Sequence, residues 1–180
     1  MEIQVGVREA KSKDLLPLAQ LFDSYRKFYG QAGDLARAER FLRDRFSKGD
    51  SHVLVAFRHS SPDPLLGFVQ LYPSYSSVLM RRIYILSDLF VEPAARRAGV
   101  GRALIEAVHE FAREKSAARV SLDTAVSNAT AQSLYESLGY QRDLSFVYYH
   151  WQVTTTIELS PGILARSPGL GGTSPPDPPQ

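Results

Sequence analysis

Residues 96–108 read RRAGVGRALIEAV, and the reading of their two glycines and three arginines decides how the rest of the chain is read. The run before them, RRIYILSDLFV (81–91), is rich in β-branched and aromatic residues and predicts a buried strand. Glu92-Pro93 closes that strand, because proline cannot donate to a ladder. In the run after them, Val100, Leu104, Ala107, Val108 and Phe111 share one helical stripe, with Arg102, Glu106, His109, Glu110 and Arg113 mostly on the other side. The glycines therefore sit where a helix begins, where unpaired backbone N–H groups and the positive end of the helix dipole converge. A side chain at Gly99 or Gly101 would obstruct approach to those groups, and arginine adds formal charge. The arrangement suits an anion, most naturally a phosphate. The plainer alternative is a tight turn flanked by solvated arginines. Known nucleotide fingerprints do not decide between them. A Rossmann G-x-G-x-x-G needs glycine where Leu104 stands, and no Walker run occurs.

The chain has 180 residues, 44% hydrophobic and 22% charged, which suits one globular domain with a real core. A net charge of +2 is too small to argue for nucleic acid or an anionic membrane. No cysteine is present, so disulfides, thiolate nucleophiles and cysteine-based zinc sites are excluded. The histidines at 52, 59, 109 and 150 show no metal-ligand spacing, and no metal is expected. The opening MEIQVGVREAKSKD lacks an apolar signal core, and no apolar run is long enough to span a bilayer. The expectation is a cytoplasmic protein without a membrane or nucleic-acid partner.

Outward from the glycine loop, the pattern predicts a strand at Ile3–Arg8, helices over about Lys13–Tyr29 and Leu35–Phe46, and strands SHVLVAF and LLGFVQLY around the turn SSPDP. The strand 81–91 and the helix from Val100 follow. RVSLDTAV predicts a strand, NATAQSLYESL a helix closed by Gly139, and LSFVYYHWQV (144–153) a last alternating strand. The order is β-α-α-β-β-β-α-β-α-β, an α/β (α+β mixed) chain with helices against a mixed sheet. The last 21 residues hold six of the eleven prolines and four of the twelve glycines. Such a segment buries too little apolar surface to offset its ordering entropy, so 160–180 reads as a disordered tail.

A strand ending in SDLFVEP followed by RRAGVG at a helix start resembles the GNAT superfamily of acyl-CoA N-acyltransferases. Arg96, Gly99 and Gly101 match that family's Arg/Gln-x-x-Gly-x-Gly/Ala signature. A second element matches downstream: Asn128, then Tyr135 inside NATAQSLYESLGY. The resemblance covers about residues 3–153 and implies a twisted mixed sheet of about six to seven strands within a domain at 1–155. It implies acetyl-CoA as co-substrate, with its pyrophosphate on the backbone N–H groups from Arg96 and Arg97 through Ala98, Gly99, Val100 and Gly101 to Arg102. The strand end Phe90-Val91-Glu92 would pair, main chain to main chain, with the pantetheine arm. Plain core packing of this strand is compatible with that role.

Tyr135 is the family's usual general acid, protonating the departing thiolate. By periodicity alone it is a core tyrosine, on a stripe with Ala131, Leu134 and Leu138. Asn128 stands at a helix start, where capping is its commonest role, and the resemblance adds a pantetheine contact. Asp88 is polar in an otherwise apolar strand, and an isolated carboxylate is costly to bury unless paired or facing a cleft. It either orients the acceptor's ammonium and passes its proton on, or forms an ion pair with a nearby arginine. YRKFYG (25–30) falls where the family builds its acceptor pocket, making Tyr25, Arg26, Phe28 and Tyr29 lining candidates, with Tyr72, Tyr75 and Tyr84 opposite. Arg26, if turned inward, favours an acceptor carrying a carboxylate.

The resemblance thus implies transfer of acetyl from acetyl-CoA to the primary amine of a small molecule, by direct attack in a ternary complex. With no cysteine, a route through a thiol intermediate is disfavoured. Acetylation of a protein amine and a non-catalytic acyl-CoA sensor remain as alternatives, the latter weakened by Tyr135 and Asn128. Dimers are common among relatives, and a homodimer is one of the assemblies the resemblance admits.

Overall fold

The computed structural model of the chain describes residues 4–60, 64–151 and 153. They fall into two compact units, one within 4–25 and 34–123 and the other within 26–33 and 124–153.

The first unit carries the whole sheet: β1 (Val5–Glu9), β2 (His52–Arg58), β3 (Gly67–Ser76), β4 (Arg81–Val91) and β5 (Val120–Leu122), in that spatial order. The first three pairings are antiparallel and β4–β5 is parallel. Helices α1 (Leu15–Phe28) and α2 (Leu35–Lys48) precede β2, and α3 (Val100–Glu114) carries the chain from β4 to β5. Local chemistry sets the helix ends. Asp34 caps α2 by accepting from the Arg37 N–H at 2.9 Å, and Gly49 ends it in the left-handed conformation at φ 60°.

Aromatic contacts sort the two faces of the sheet. Phe68 is fully buried and meets Phe22 and Tyr25 of α1 at centroid distances of 6.0 and 5.9 Å. Phe22 in turn stacks on Phe41 of α2 at 5.4 Å. On the opposite face, Tyr84 and His52 meet Phe111 of α3 at 5.2 and 4.8 Å. Removing the Phe68 ring would cost about 3–5 kcal/mol, through lost burial and the cavity left behind.

Several boundaries differ from the sequence expectations. The first strand starts at Val5 and runs on to Glu9, Ile3 lying outside the described residues. The long first helix is preceded by a 3-10 turn, Ser12–Asp14, which takes up the expected start at Lys13. Its Asp14 carboxylate accepts from the Lys11 N–H at 2.7 Å and from Arg8 in bidentate fashion at 2.6 and 2.8 Å. RVSLDTAV supplies only the three residues of β5. The sheet has five strands rather than six to seven, because residues 144–151 and 153 belong to none of its ladders. Alternation in LSFVYYHWQV gives a preference for two faces, but a strand exists only through a paired neighbour. Phe146, Tyr149 and Trp151 are exposed there. The segment 160–180 lies outside the described residues.

The second unit is built on α4 (Ala129–Ser137), capped by Asn128, whose Oδ1 accepts from the Ala131 N–H at 3.2 Å. Gly139 follows it at φ 89°, the left-handed position that glycine takes without a Cβ penalty.

Candidate active site

Strand β4 is the spine of the site in the first unit. Its register with β3 slips: Leu71 lies opposite Leu86 but Gln70 opposite Asp88, leaving Ser87 as an extra, bulged residue. The bulge shifts the phase of the alternation, so residues an even number apart on its two sides face opposite ways. Tyr84 packs against Phe111 on the α3 side, whereas Phe90 meets Tyr25 at 6.1 Å on the α1 side. Asp88, two residues before Phe90, shares the α1 side with its cross-strand partner Gln70.

The same stretch has an open edge. The β4–β5 ladder covers Tyr84–Leu86 against Val120–Leu122 and ends there, although β4 runs on to Val91. Past the bulge, the Glu92 N–H donates to the Leu66 carbonyl at 2.9 Å, on the β3 side. Backbone groups alternate in direction along a strand, so Leu89 and Val91 present theirs to the side where β5 no longer pairs. Val91 O accepts from Arg96 Nε at 3.2 Å. Strand β3 presses close on the other side, since a Cβ added to Gly67 would lie 2.5 Å from Phe90 O.

From this edge the chain turns through Pro93–Ala95 into α3. Arg97 and Gly99 both adopt left-handed conformations, φ 60° and 79°. Left-handed residues alternating with others curl a loop so that successive N–H groups face one concavity, the backbone form of an anion site. Gly99 is the N-cap of α3 and makes no side-chain cap. Helix geometry leaves the first-turn N–H groups without intrahelical acceptors, and a Cβ built on Gly99 would meet nothing within 4 Å. Open space, an uncapped helix start and Arg96, Arg97 and Arg102 around it fit a pyrophosphate. Val100 is buried and fixes the helix against the sheet beneath.

Asp88 is buried, 7% exposed. Burial pushes its carboxyl up to about 7, the Asp123 carboxylate adds to the effect and a hydrogen bond from Ser87 opposes it. The carboxyl is therefore poised near neutrality, where proton exchange with a bound amine is feasible.

In the second unit, Tyr135 is 8% exposed and its ring meets Tyr140 at 5.7 Å. Burial pushes the Tyr140 hydroxyl up to about 12. After Tyr25, α1 runs on to Phe28 and ends in a turn closed by the Gly30 N–H to Lys27 O bond at 2.9 Å, with Phe28 and Tyr29 edge to face at 5.2 Å. The aromatic acceptor candidates are thus divided. Tyr25 is a core residue of the first unit, while Arg26, Phe28 and Tyr29 lie in the second. Of the tyrosines placed opposite, Tyr84 is fully buried on the α3 side, Tyr75 is exposed, and Tyr72 is half-buried beside Gln70.

The sequence profile of the acetyltransferase (GNAT) family matches residues 18–140. The chain belongs to that family. Uncharacterized N-acetyltransferase YhfO of Bacillus subtilis (strain 168) is 45% identical over 145 residues, covering 81% of this chain and 95% of its own. The thialysine N-epsilon-acetyltransferase of Bos taurus is 34% identical over 76% of this chain and 84% of its own. A solved structure described as a probable acetyltransferase superposes with a TM-score of 0.79 at 36% identity, covering 83% of this chain and 99% of that one. The fold is thus the GNAT fold and the chain an acetyl-transferring enzyme of a family that uses acetyl-CoA. Among the described residues no helix is long and apolar enough to cross a membrane.

Two residues of this GNAT strand pair escaped the sequence reading. Leu89 lies past the end of the β4–β5 ladder and faces the open edge with its backbone, a placement invisible in a side-chain pattern. Gln70 carried a signal that was passed over: a polar residue inside the apolar run LLGFVQLY, the same kind of break that singled out Asp88.

Proposed function

We propose that the protein transfers the acetyl group of acetyl-CoA to a primary amine of a small molecule by direct attack in a ternary complex. The observation that carries this reading is the open edge of β4 past Leu86, running straight into the uncapped, glycine-opened start of α3. Backbone groups of Leu89 and Val91 on that edge suit the two amides of a pantetheine arm, and the loop Arg96–Arg102 suits the pyrophosphate. Asn128 joins that cofactor-holding set by family pattern.

Acetyl-CoA supplies an activated acyl carbon and a thiolate leaving group. Asp88 receives the proton that the acceptor's ammonium must lose before its nitrogen lone pair can form the new C–N bond, and passes it to water. Tyr135 gives its hydroxyl proton to the sulfur as the C–S bond breaks, and regains one from solvent. A backbone N–H on the open edge of β4 steadies the carbonyl oxygen. A relative named for the acetylation of thialysine, an amine that also carries a carboxylate, supports an amino-acid-like acceptor. Arg26 is the residue proposed to meet that carboxylate, with Tyr25, Phe28 and Tyr29 shaping the acceptor side.

Thermal unfolding with acetyl-CoA, followed by amine-dependent release of free CoA across lysine-like, ornithine-like and polyamine acceptors, tests the proposal. At a hundredfold excess over Kd the bound ligand adds about 2.7 kcal/mol of stability. Stabilisation together with release that depends on the amine supports it. Stabilisation without release would make the protein a sensor of acyl-CoA, and no stabilisation would remove the coenzyme site altogether.

A further inference from the structure

Gln70 is fully buried in the centre of β3. Its Nε2 donates to Ser51 Oγ and to the Tyr72 hydroxyl, both at 3.0 Å. Its Oε1 is buried and accepts no hydrogen bond from the described residues. A buried carbonyl oxygen without a donor is costly. The residue directly across the ladder, on the same face and beside the Ser87 bulge, is Asp88. An ionised carboxylate has nothing to give an acceptor oxygen. A protonated one does.

We propose that Gln70 is a positioning residue for Asp88, its Oε1 accepting the carboxyl proton whenever Asp88 is in its acid form. The pair then stores the proton that Asp88 takes from the amine and fixes which carboxyl oxygen carries it. This rests on the reading of Asp88 as the group that takes the amine's proton. Other charged and titratable groups lie around Asp88. Tyr72 faces it from β3 and Asp123 from the chain after β5, while the Arg45–Asp50 ion pair at 3.2 Å, from the end of α2, reaches the Tyr72 side of the cluster. None of these gives Gln70 Oε1 a hydrogen bond. A hydrogen bond to the neutral carboxyl favours the neutral form, which agrees with the upward displacement of Asp88.

The test is a carbon NMR titration of the Asp88 carboxyl in the full chain, assigned with Asp88→Asn and repeated in Gln70→Leu. Loss of the acceptor should lower the Asp88 midpoint by about half a pH unit to one pH unit. A midpoint that stays in place overturns the proposal. One that rises overturns it too, because it would mean that Gln70 presents its amide N–H₂ to a carboxylate. If Gln70→Leu does not fold, the wild-type side-chain carbonyl carbon of Gln70 provides the second reading. It should titrate with the Asp88 midpoint and cease to do so in Asp88→Asn; a flat response overturns the proposal. Turnover is read separately. If Asp88→Asn keeps wild-type turnover and its pH profile, the proton-acceptor reading of Asp88 fails, while the NMR titration still decides whether the Gln70–Asp88 bond exists.

Discussion

Leu86 of β4 pairs with Leu122 of β5, and beyond that pair the two parallel strands no longer share a ladder. Leu89 and Val91 thus face an unpaired edge, whereas the Glu92 N–H is bonded to Leu66. Hydrogen exchange should read this difference residue by residue. The Leu89 amide is expected to exchange faster than that of Glu92 in the free protein and to slow by about tenfold or more when acetyl-CoA is added, as a main-chain partner fills the edge. Glu92 should change little. Equal protection of both amides in the free protein would contradict the open edge, and an unaltered Leu89 would place the pantetheine arm elsewhere.

Gly99 permits a second prediction, because its space and its backbone conformation make separate demands. A Cβ there meets no atom, so a substitution harms the free protein only through φ 79°, at about 1–2 kcal/mol for an ordinary side chain and less for asparagine. Gly99→Val should therefore remain folded with a modestly lower Tm and lose the stabilisation by acetyl-CoA. Gly99→Asn should keep nearly the wild-type Tm yet still bind more weakly, because its side chain occupies the approach to the α3 amides. Wild-type stabilisation in both variants would exclude the loop as the pyrophosphate site.

Tyr135 is assigned by family pattern to proton donation, and the assignment separates chemistry from binding. Tyr135→Phe retains the ring that meets Tyr140, so the fold and the acetyl-CoA-induced rise in Tm should survive. Turnover should fall by about a hundredfold or more, the usual contribution of a positioned acid. A variant with unimpaired turnover would leave Tyr135 as a core residue and require another donor for the thiolate.

The glycine loop was legible in the sequence because each of its signals is local. Gly99 needs a left-handed φ, Pro93 stops a strand, and the stripe from Val100 to Phe111 reports its own helix. Asp88 was legible for a similar reason, as a charge in an apolar run. What could not be read was anything set by a neighbouring strand. The Ser87 bulge exists only in the register of β4 against β3, and the open edge only because β5 stops at Leu122. Arg96 donates to Val91 O and stands 5.9 Å from the Phe90 ring centroid, contacts that depend on where β4 ends. The expected strand at 144–153 failed for the complementary reason, since alternation states what a segment would do with a partner and not whether one is there.

The carboxyls of Asp88 and Asp14 bend the pH dependence of stability in opposite directions. Asp88 has a folded value raised to about 7 from 3.8, so the folded state binds more protons than the unfolded state between those limits. Its contribution is full below about 3.8 and is lost as pH rises through 7, on the order of a few kcal/mol. Asp14 is held low, chiefly by its hydrogen bonds from Arg8, and its contribution is present above the ordinary value of 3.8 and lost as pH falls. Asp88→Asn, which carries no charge at any pH, should therefore have a higher Tm than wild type at pH 8, an advantage that shrinks as pH falls and drops below about half by pH 5, above the range where Asp14 intervenes. Turnover of the same variant should fall steeply throughout. Thermal melts of both proteins from pH 5 to pH 8 decide the matter: parallel curves would show that Asp88 ionises in the fold as it does in water, and would leave no strained carboxyl for Gln70 to hold.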